Sequence, residues 1–409
     1  MKKKILEQVN EVYSRENPST YIKNFLDNKS INRYIENRKN FYLKLKLPPK
    51  SFKDCEVLDL GSGAGQNTIA LSQMGAKCTL VDYDKASCLK SRRLFKKFSK
   101  NKFSIINKDI FKFKSKKKFD VVINNGVAHH TQNATKILDI ACSFVKKKGF
   151  VIYGIANETG MFQRNLMRYI LFKITKNEKE IIEKSKVLFK ESLNRSIKFS
   201  GRTAKEIIAD TFINPKFRAV KIKNVFNVFK KHKISNYSTY PELKDIKEFI
   251  STEETQFKLK NTKKQFYTLK KDRNKSLYLH DFQSMSLSTN KFPQKKNLRN
   301  LELIDKIREQ VCLVINDKNR DDFNVNLKSY KRLMQKYLLK ISKVKAIDVL
   351  DNEHEKDFFM EVVKLLDILK SHKNTNIIYN KLKKFLPKTE KLFKGYNGVG
   401  MNYYVGYKD

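Results

Sequence analysis

Tryptophan is absent from the 409 residues, and the 13 glycines avoid the whole stretch between Gly201 and Gly395. A glycine-built nucleotide cradle is therefore excluded from that stretch, because only glycine turns sharply with positive φ and lets a ligand reach the main chain. The five cysteines, Cys55, Cys78, Cys88, Cys142 and Cys312, are odd in number and show no paired metal spacing. They read as free thiols of a reducing compartment, so a cytoplasmic protein without a metal site is expected. No apolar run reaches the length of about 18 residues that a membrane span needs. The opening Met1-Lys2-Lys3-Lys4 passes through Ile5-Leu6 straight into Glu7-Gln8, which leaves no apolar centre for a secretion signal.

Acidic side chains are the scarce charge, 42 Asp plus Glu against 87 Lys plus Arg, for a net +45. Such an excess is what nucleic-acid binders show. Here it is mostly Lys, it runs through every segment, and it accompanies many Asn, Ile and Phe with few Gly and Pro. That is the pattern of AT-rich codon drift, whereas a binding stripe is concentrated, Arg-led and interleaved with aromatics. The charge reads as compositional. Hydrophobic residues at 40% are enough for a globular chain of one large or two ordinary domains.

What is present is organised around Val57-Leu58-Asp59-Leu60-Gly61-Ser62-Gly63-Ala64-Gly65, an apolar strand running into a glycine loop. A helix follows from Gln66 or Asn67, carrying Ile69, Ala70 and Leu71. A phosphate-gripping loop would place Lys at the helix start, and none is there. A dinucleotide fold would place its third glycine at Gln66. The pattern Asp59-x-Gly61-x-Gly63-x-Gly65 resembles motif I of the class I S-adenosyl-L-methionine (AdoMet)-dependent methyltransferases.

Three later strands extend the resemblance. Cys78 to Val81 ends in Asp82-Tyr83, Phe103 to Ile106 leads to Asp109-Ile110, and Phe119 to Asn124 ends in Asn125-Gly126-Val127-Ala128-His129-His130-Thr131. The last resembles the Gly-Val-Leu-His-His-Thr turn of many small-molecule methyltransferases. The family resemblance implies AdoMet as cofactor, with Asp59, Gly61, Ser62, Gly63 and Gly65 beneath it and Asn125 and Gly126 beside it. Asp82, with Tyr83 next to it, is expected at the ribose diol, because a carboxylate accepts from both hydroxyls. Asp109 is expected at the adenine amino group, with Ile110 packed on the ring.

The implied fold is α/β: a Rossmann-like, mostly parallel seven-stranded sheet with helices on both faces, plus a helical cap and insertion. Residues 1–46 read as a helical cap, residues 47–241 as the methyltransferase core, and residues 158–209 as a lid after strand five. Residues 242–394 read as a helical insertion containing a linker from Tyr267 to Gln294. Residues 395–409 are expected to return to the core as the antiparallel last strand. The helix ending the fourth crossover is expected to stop at Lys146-Lys147-Lys148-Gly149, and the fifth strand to begin at Phe150. In the lid, Phe162 and Leu166 fall on an apolar face, with Arg164, Arg168 and Lys173 on the other.

Methyl transfer is an in-line displacement that needs alignment above all, and a base only where the acceptor sheds a proton. His130 or His129 is the candidate base; adjacent side chains usually point apart, so one of them is expected to face the acceptor. Tyr13, Asn157, Phe162 and Arg164 are the candidate substrate residues, while Asp210 and Asn214 read as braces of a turn. Asn124-Asn125-Gly126-Val127 is not the Asn/Asp-Pro-Pro-Tyr of adenine methylation in DNA, and no cysteine nucleophile stands there. The expected acceptor is therefore small or lipid-like. An RNA acceptor held by the basic insertion is the second reading, and an AdoMet-binding regulator without turnover the third.

Overall fold

The computed structural model describes residues 7–9, 11–13, 15, 27–158, 160–214, 216–242, 352–371, 373–394 and 400–409. The expected linker and the part of the expected helical insertion between residues 243 and 351 lie outside the described residues. Seven strands form one sheet in the order β3-β2-β1-β4-β5-β7-β6. They are β1 Glu56–Leu60, β2 Lys77–Asp82, β3 Phe103–Asn107, β4 Phe119–Asn125, β5 Val145–Ala156, β6 Ile234–Tyr240 and β7 Met401–Lys408. Strands β1 to β5 are parallel, and β7 runs antiparallel between β5 and β6. The order reverses at β1, so the chain has its crevice between the ends of β1 and β4.

Strand alternation makes both faces apolar. Val121 and Ile123 of β4 point to one side, where α1 (Asn28–Lys44), α2 (Gln66–Gln73) and α3 (Lys85–Phe98) contribute Ile31, Ile69 and Leu94. Val122 points to the other, where α4 (Ala134–Phe144) and α9 (Ile222–Lys231) contribute Leu138, Val225 and Phe229. Local signals start the helices: Asp27 Oδ2 accepts the Ser30 N–H at 2.7 Å, and Asp84 Oδ2 accepts the Ser87 N–H at 2.9 Å.

A third core is mainly helical. After β5 come α5 (Phe162–Ile174), α6 (Glu178–Leu188), α7 (Lys190–Ser200) and α8 (Ala204–Ile208), and then a π-helical turn, Ala209–Ile213. They share buried apolar residues with α10 (Asn352–Lys370) and α11 (Thr375–Phe385), among them Leu166, Phe212, Leu366 and Leu382. The two segments that the sequence keeps apart, 158–209 and 352–394, are thus one packed unit.

Two expectations are corrected. Helix α4 ends at Phe144, and residues 146–149 belong to β5, because Val145 already pairs with Phe119 and Lys146 reaches the Asp120 carboxylate at 3.0 Å. The cationic run is strand, drawn across to an acid that the sequence places 26 positions away. Arg168 is buried rather than on an open face: its guanidinium lies 5.0 Å from the Phe172 ring centroid and donates to the Thr211 carbonyl at 3.3 Å. Helix α5 is covered on nearly every side because the second half of the unit closes over it.

Candidate active site

The glycine loop leaves β1 at the edge where β1 to β4 end. Gly61, Gly63 and Gly65 adopt φ of 82°, 54° and 75°. A Cβ at Gly61 would stand 2.8 Å from Val127, and one at Gly65 would stand 3.0 Å from Ser91 and 3.1 Å from Phe95. Both positions are closed by packing. At Gly63 nothing lies within 4 Å of a Cβ, so bare main chain faces open space there. Asp82 holds this loop, its Oδ2 accepting the Gly63 N–H at 2.7 Å and its Oδ1 the Asp84 N–H at 2.9 Å. A carboxylate has about four acceptor positions, so capacity is left for a diol. Burial pushes the Asp82 carboxyl up, against these N–H donors.

Around the loop, Ser62 Oγ and Asn124 Oδ1 are buried polar atoms with no partner among the described residues. Such atoms are costly without a ligand or water. Bare main chain, an anchored acid and orphaned acceptors fit AdoMet, whose sugar and amino acid offer donors. Asp59 is 3% exposed, and the Thr68 hydroxyl donates to its carboxylate. Burial pushes this acid up to about 7, the Thr68 bond pulls it down, and Arg38 of α1 pulls the same way. Asp109 spends Oδ1 on the Phe111 N–H at 2.9 Å, and Ile110 is buried in the sheet core. Tyr83 is 44% exposed, while Asn125 and Gly126 are half-buried at the end of β4.

The histidines depart from expectation. They lie in a 3-10 turn, Ala128–His130, with ring centroids 4.1 Å apart, and both rings are buried. Phe217 abuts them edge-on at 5.2 Å and 5.8 Å, which draws both imidazoles to one side. His130 Nε2 lies 3.4 Å from Asp210 Oδ1, and its Nδ1 lies 3.0 Å from the Lys216 carbonyl and 3.0 Å from Asn214 Nδ2. Asp210 also accepts from the Tyr13 hydroxyl at 3.1 Å and from Arg202 at 3.0 Å. Burial opposes its charge, but His130 and Arg202 hold its carboxyl well below the usual range. His129 is held well below an ordinary imidazole by burial first, then by His130 and Arg164, with Asp210 acting against them.

Tyr13, placed on the cap by its spacing, meets His130 edge-on at 5.5 Å. Asn157 is fully buried, accepts the Gly160 N–H at 2.9 Å and donates its own N–H to the Gly400 carbonyl, so it ties β5 to the start of β7. Phe162 sits in the helical core, 6.0 Å from Phe358, where it packs the unit rather than lining the crevice. Arg164 is half-buried and acts on His129. Asp210, Asn214, Arg202 and Phe217 join the site although sequence order offers no signal for it: they stand more than 70 positions beyond the histidines. Among the described residues no cluster fit for a metal ion is found, and no helix is long and apolar enough to cross a membrane.

Residues 51–207 match the family model described as a methyltransferase domain. A curated ubiquinone biosynthesis O-methyltransferase of Pelagibacter ubique is 25% identical over 127 residues, 31% of this chain and 52% of that protein. The chain thus spans about half the length of this curated relative. Among solved structures, magnesium protoporphyrin IX methyltransferase of Synechocystis PCC 6803, with bound SAH, is similar at 14% identity and TM-score 0.32, over 51% of this chain and 74% of that one. A 16S rRNA N2 methyltransferase of T. thermophilus, in complex with AdoMet and guanosine, is similar at 25% identity and TM-score 0.26, over 29% of this chain and 33% of that one.

Proposed function

We propose, from the premise that residues 51–207 belong to the methyltransferase-domain family, that this chain is an AdoMet-dependent methyltransferase acting on a small or lipid-like acceptor. The observation that carries the reading is a juxtaposition. Bare main chain at Gly63, anchored by Asp82, stands at the ends of β1 and β2, and a buried histidine pair stands at the end of the neighbouring β4. AdoMet, when bound, supplies a methyl group activated by its sulfonium. The residues of the chain hold and orient: the loop and Asp82 fix one partner, and the rings of Tyr13, His129, His130 and Phe217 wall the other and exclude water. Orientation of this kind is worth about 7–11 kcal/mol when the geometry is near attack.

Calorimetric titration of AdoMet into the full chain tests the premise, and Asp82→Ala is expected to weaken binding about tenfold or more through a lost charged hydrogen bond. Failure of the wild-type chain to bind AdoMet would sink the reading. The acceptor class is then tested by incubating the chain with methyl-labelled AdoMet and a host extract, and separating RNA, organic-soluble and aqueous fractions. Label in the organic or aqueous small-molecule pool is the expected result. The net charge of +45 favours RNA as the second reading. Label in nuclease-sensitive material, with affinity falling steeply as salt rises, would establish it instead.

A further inference from the structure

We infer that the helical unit holds a second binding site, for an anionic amphiphile whose apolar tail enters a cavity between α6, α7 and α11 and whose negatively charged head meets lysines at the mouth. The cavity measures about 370 Å³. Leu188 and Phe189 form one wall, Leu382 and Leu386 a second, and Leu392 and Phe393 a third, and all six are at most 7% exposed. Protein interiors pack so closely that voids larger than a water molecule are few. This one lies in the range of about 300–1,000 Å³ where small ligands bind. Walls of Leu and Phe offer water few hydrogen-bond partners, and an apolar cavity takes up apolar molecules instead.

The cavity is separate from the crevice at the strand ends. Neither the histidine pair nor Tyr13 nor Phe217 lines it. Helix α5 stands between the two: Gln163 Oε1 accepts the Phe393 N–H of the cavity wall at 2.9 Å, while the next residue, Arg164, acts on His129. The site therefore does not depend on the methyltransferase reading.

Shape and charge at the mouth select the ligand. Three short segments enclose the cavity, residues 187–191, 382–387 and 392–394, so it is a pit and not the long groove that a partner helix requires. Val187, 50% exposed, stands at its edge with Lys190, Lys383 and Lys394. Glu191 is the acid lining it, and it pairs with Lys394. Among the described residues Lys190 and Lys383 have no ion-pair partner. The lysine excess here is one-sided: α6 carries three Glu and three Lys, whereas residues 373–394 carry seven Lys against Glu390 alone. Codon drift would load both walls alike. Two unpaired cations over an apolar pit match a carboxylate or phosphate head on an apolar tail, because lysine lays its stem along apolar surface and keeps its ammonium in water. A single-stranded nucleic acid would need aromatic faces open to its bases, and here Phe189 and Phe393 are closed against each other at 5.1 Å.

Calorimetric titration of the full chain with sodium dodecanoate, below its micelle-forming concentration, tests the site. One dodecanoate per chain is expected, with dodecyltrimethylammonium bound about tenfold or more weakly. Lys190→Glu combined with Lys383→Glu should weaken dodecanoate about tenfold and leave neutral dodecanol within about twofold. Val187→Trp sets a bulky ring at the edge, where it takes the space of the tail, and should weaken dodecanoate and dodecanol alike by about tenfold. These variants alter exposed side chains, so thermal melts should match the wild type. Photocrosslinking with a diazirine-bearing dodecanoate, read by peptide mass mapping, needs no variant and should label the three enclosing segments.

Vesicles identify the source of the tail. Cosedimentation with phosphatidylglycerol but not phosphatidylcholine vesicles, lost in the variants, makes it a membrane lipid; dodecanoate binding without cosedimentation makes it a free acid. No binding of dodecanoate, equal binding of the cationic amphiphile, unchanged affinity in either variant, or crosslinks confined to other segments would each overturn the inference. RNA bound through Lys190 and Lys383, with dodecanoate unbound, would overturn it in favour of a nucleic-acid surface. Failure of AdoMet to bind bears on the methyltransferase reading alone.

Discussion

At the scale of the residue, the loop shows why three glycines at alternate positions do two different things. Gly61 and Gly65 leave room for Val127, Ser91 and Phe95, while Gly63 leaves room for nothing the chain supplies. Asp59 beneath them is a second case of burial setting behaviour. Its folded carboxyl, at about 7, lies above the unfolded value of about 3.9. The folded state therefore binds more protons than the unfolded one between those values, and stability falls as pH rises from about 4 through 7. Asp59→Asn, which keeps an acceptor for Thr68 but cannot ionise, should gain on the wild type as pH rises; urea midpoints of both unliganded proteins at pH 5 and pH 8 measure it. An equal difference at both pH values would show that Asp59 is not the group responsible. Asp59, Asp82 and the glycines were legible in the sequence because each sits within a few residues of a strand end. His129 and His130 were legible as residues but not as a pair of rings in contact, since the ring of Phe217 that gathers them comes 87 positions after His130.

At the scale of the element, the helices are held to the sheet by apolar faces, and α4 is held to α9 by a charged clasp. Asp139 of α4 accepts from Lys136 at 2.8 Å, and from Lys231 of α9 and the neighbouring His232 at 2.6 Å and 2.8 Å. Partial burial opposes its charge, but these three partners hold its carboxyl well below the usual range. Its contribution is therefore present above the unfolded carboxylate value and is lost as pH falls through the folded one. Asp139→Asn should cost about 1 kcal/mol at neutral pH and low salt, and less in high salt, because the two lysines are largely exposed. Chemical denaturation at two salt concentrations checks both statements. The sequence placed α4 correctly by its apolar spacing and misplaced its end, because helical stop signals and strand lysines look alike until the Asp120 partner is in place. It likewise assigned Arg168 to an open face, since the period of α5 cannot report that α6, the π-helical turn and α11 enclose it.

At the scale of the whole molecule, the last eight strand residues close the sheet. Strand β7 is the partner of both β5 and β6, and Asn402, Tyr404 and Val405 are fully buried in it. Deleting residues 401–409 strips two strands of their ladder and opens both faces of the core at once. Thermal denaturation followed by circular dichroism should then show no cooperative transition; a chain melting sharply without this segment would mean that β5 and β6 find another partner.

The sequence by itself determined the strand-loop-helix cradle, the order of the strand-end residues and the apolar faces of the sheet. These follow from periods of two and of 3.6 residues and from glycine's freedom at positive φ, all of which act over a handful of neighbouring positions. The tertiary structure alone decided that Tyr13 and His130 share the carboxylate of Asp210, and that residues 158–213 and 352–394 share one core. The Tyr13 contact spans 197 positions and the His130–Asn214 contact spans 84. Over such separations no local period survives, and only the packing of the assembled chain brings the groups together.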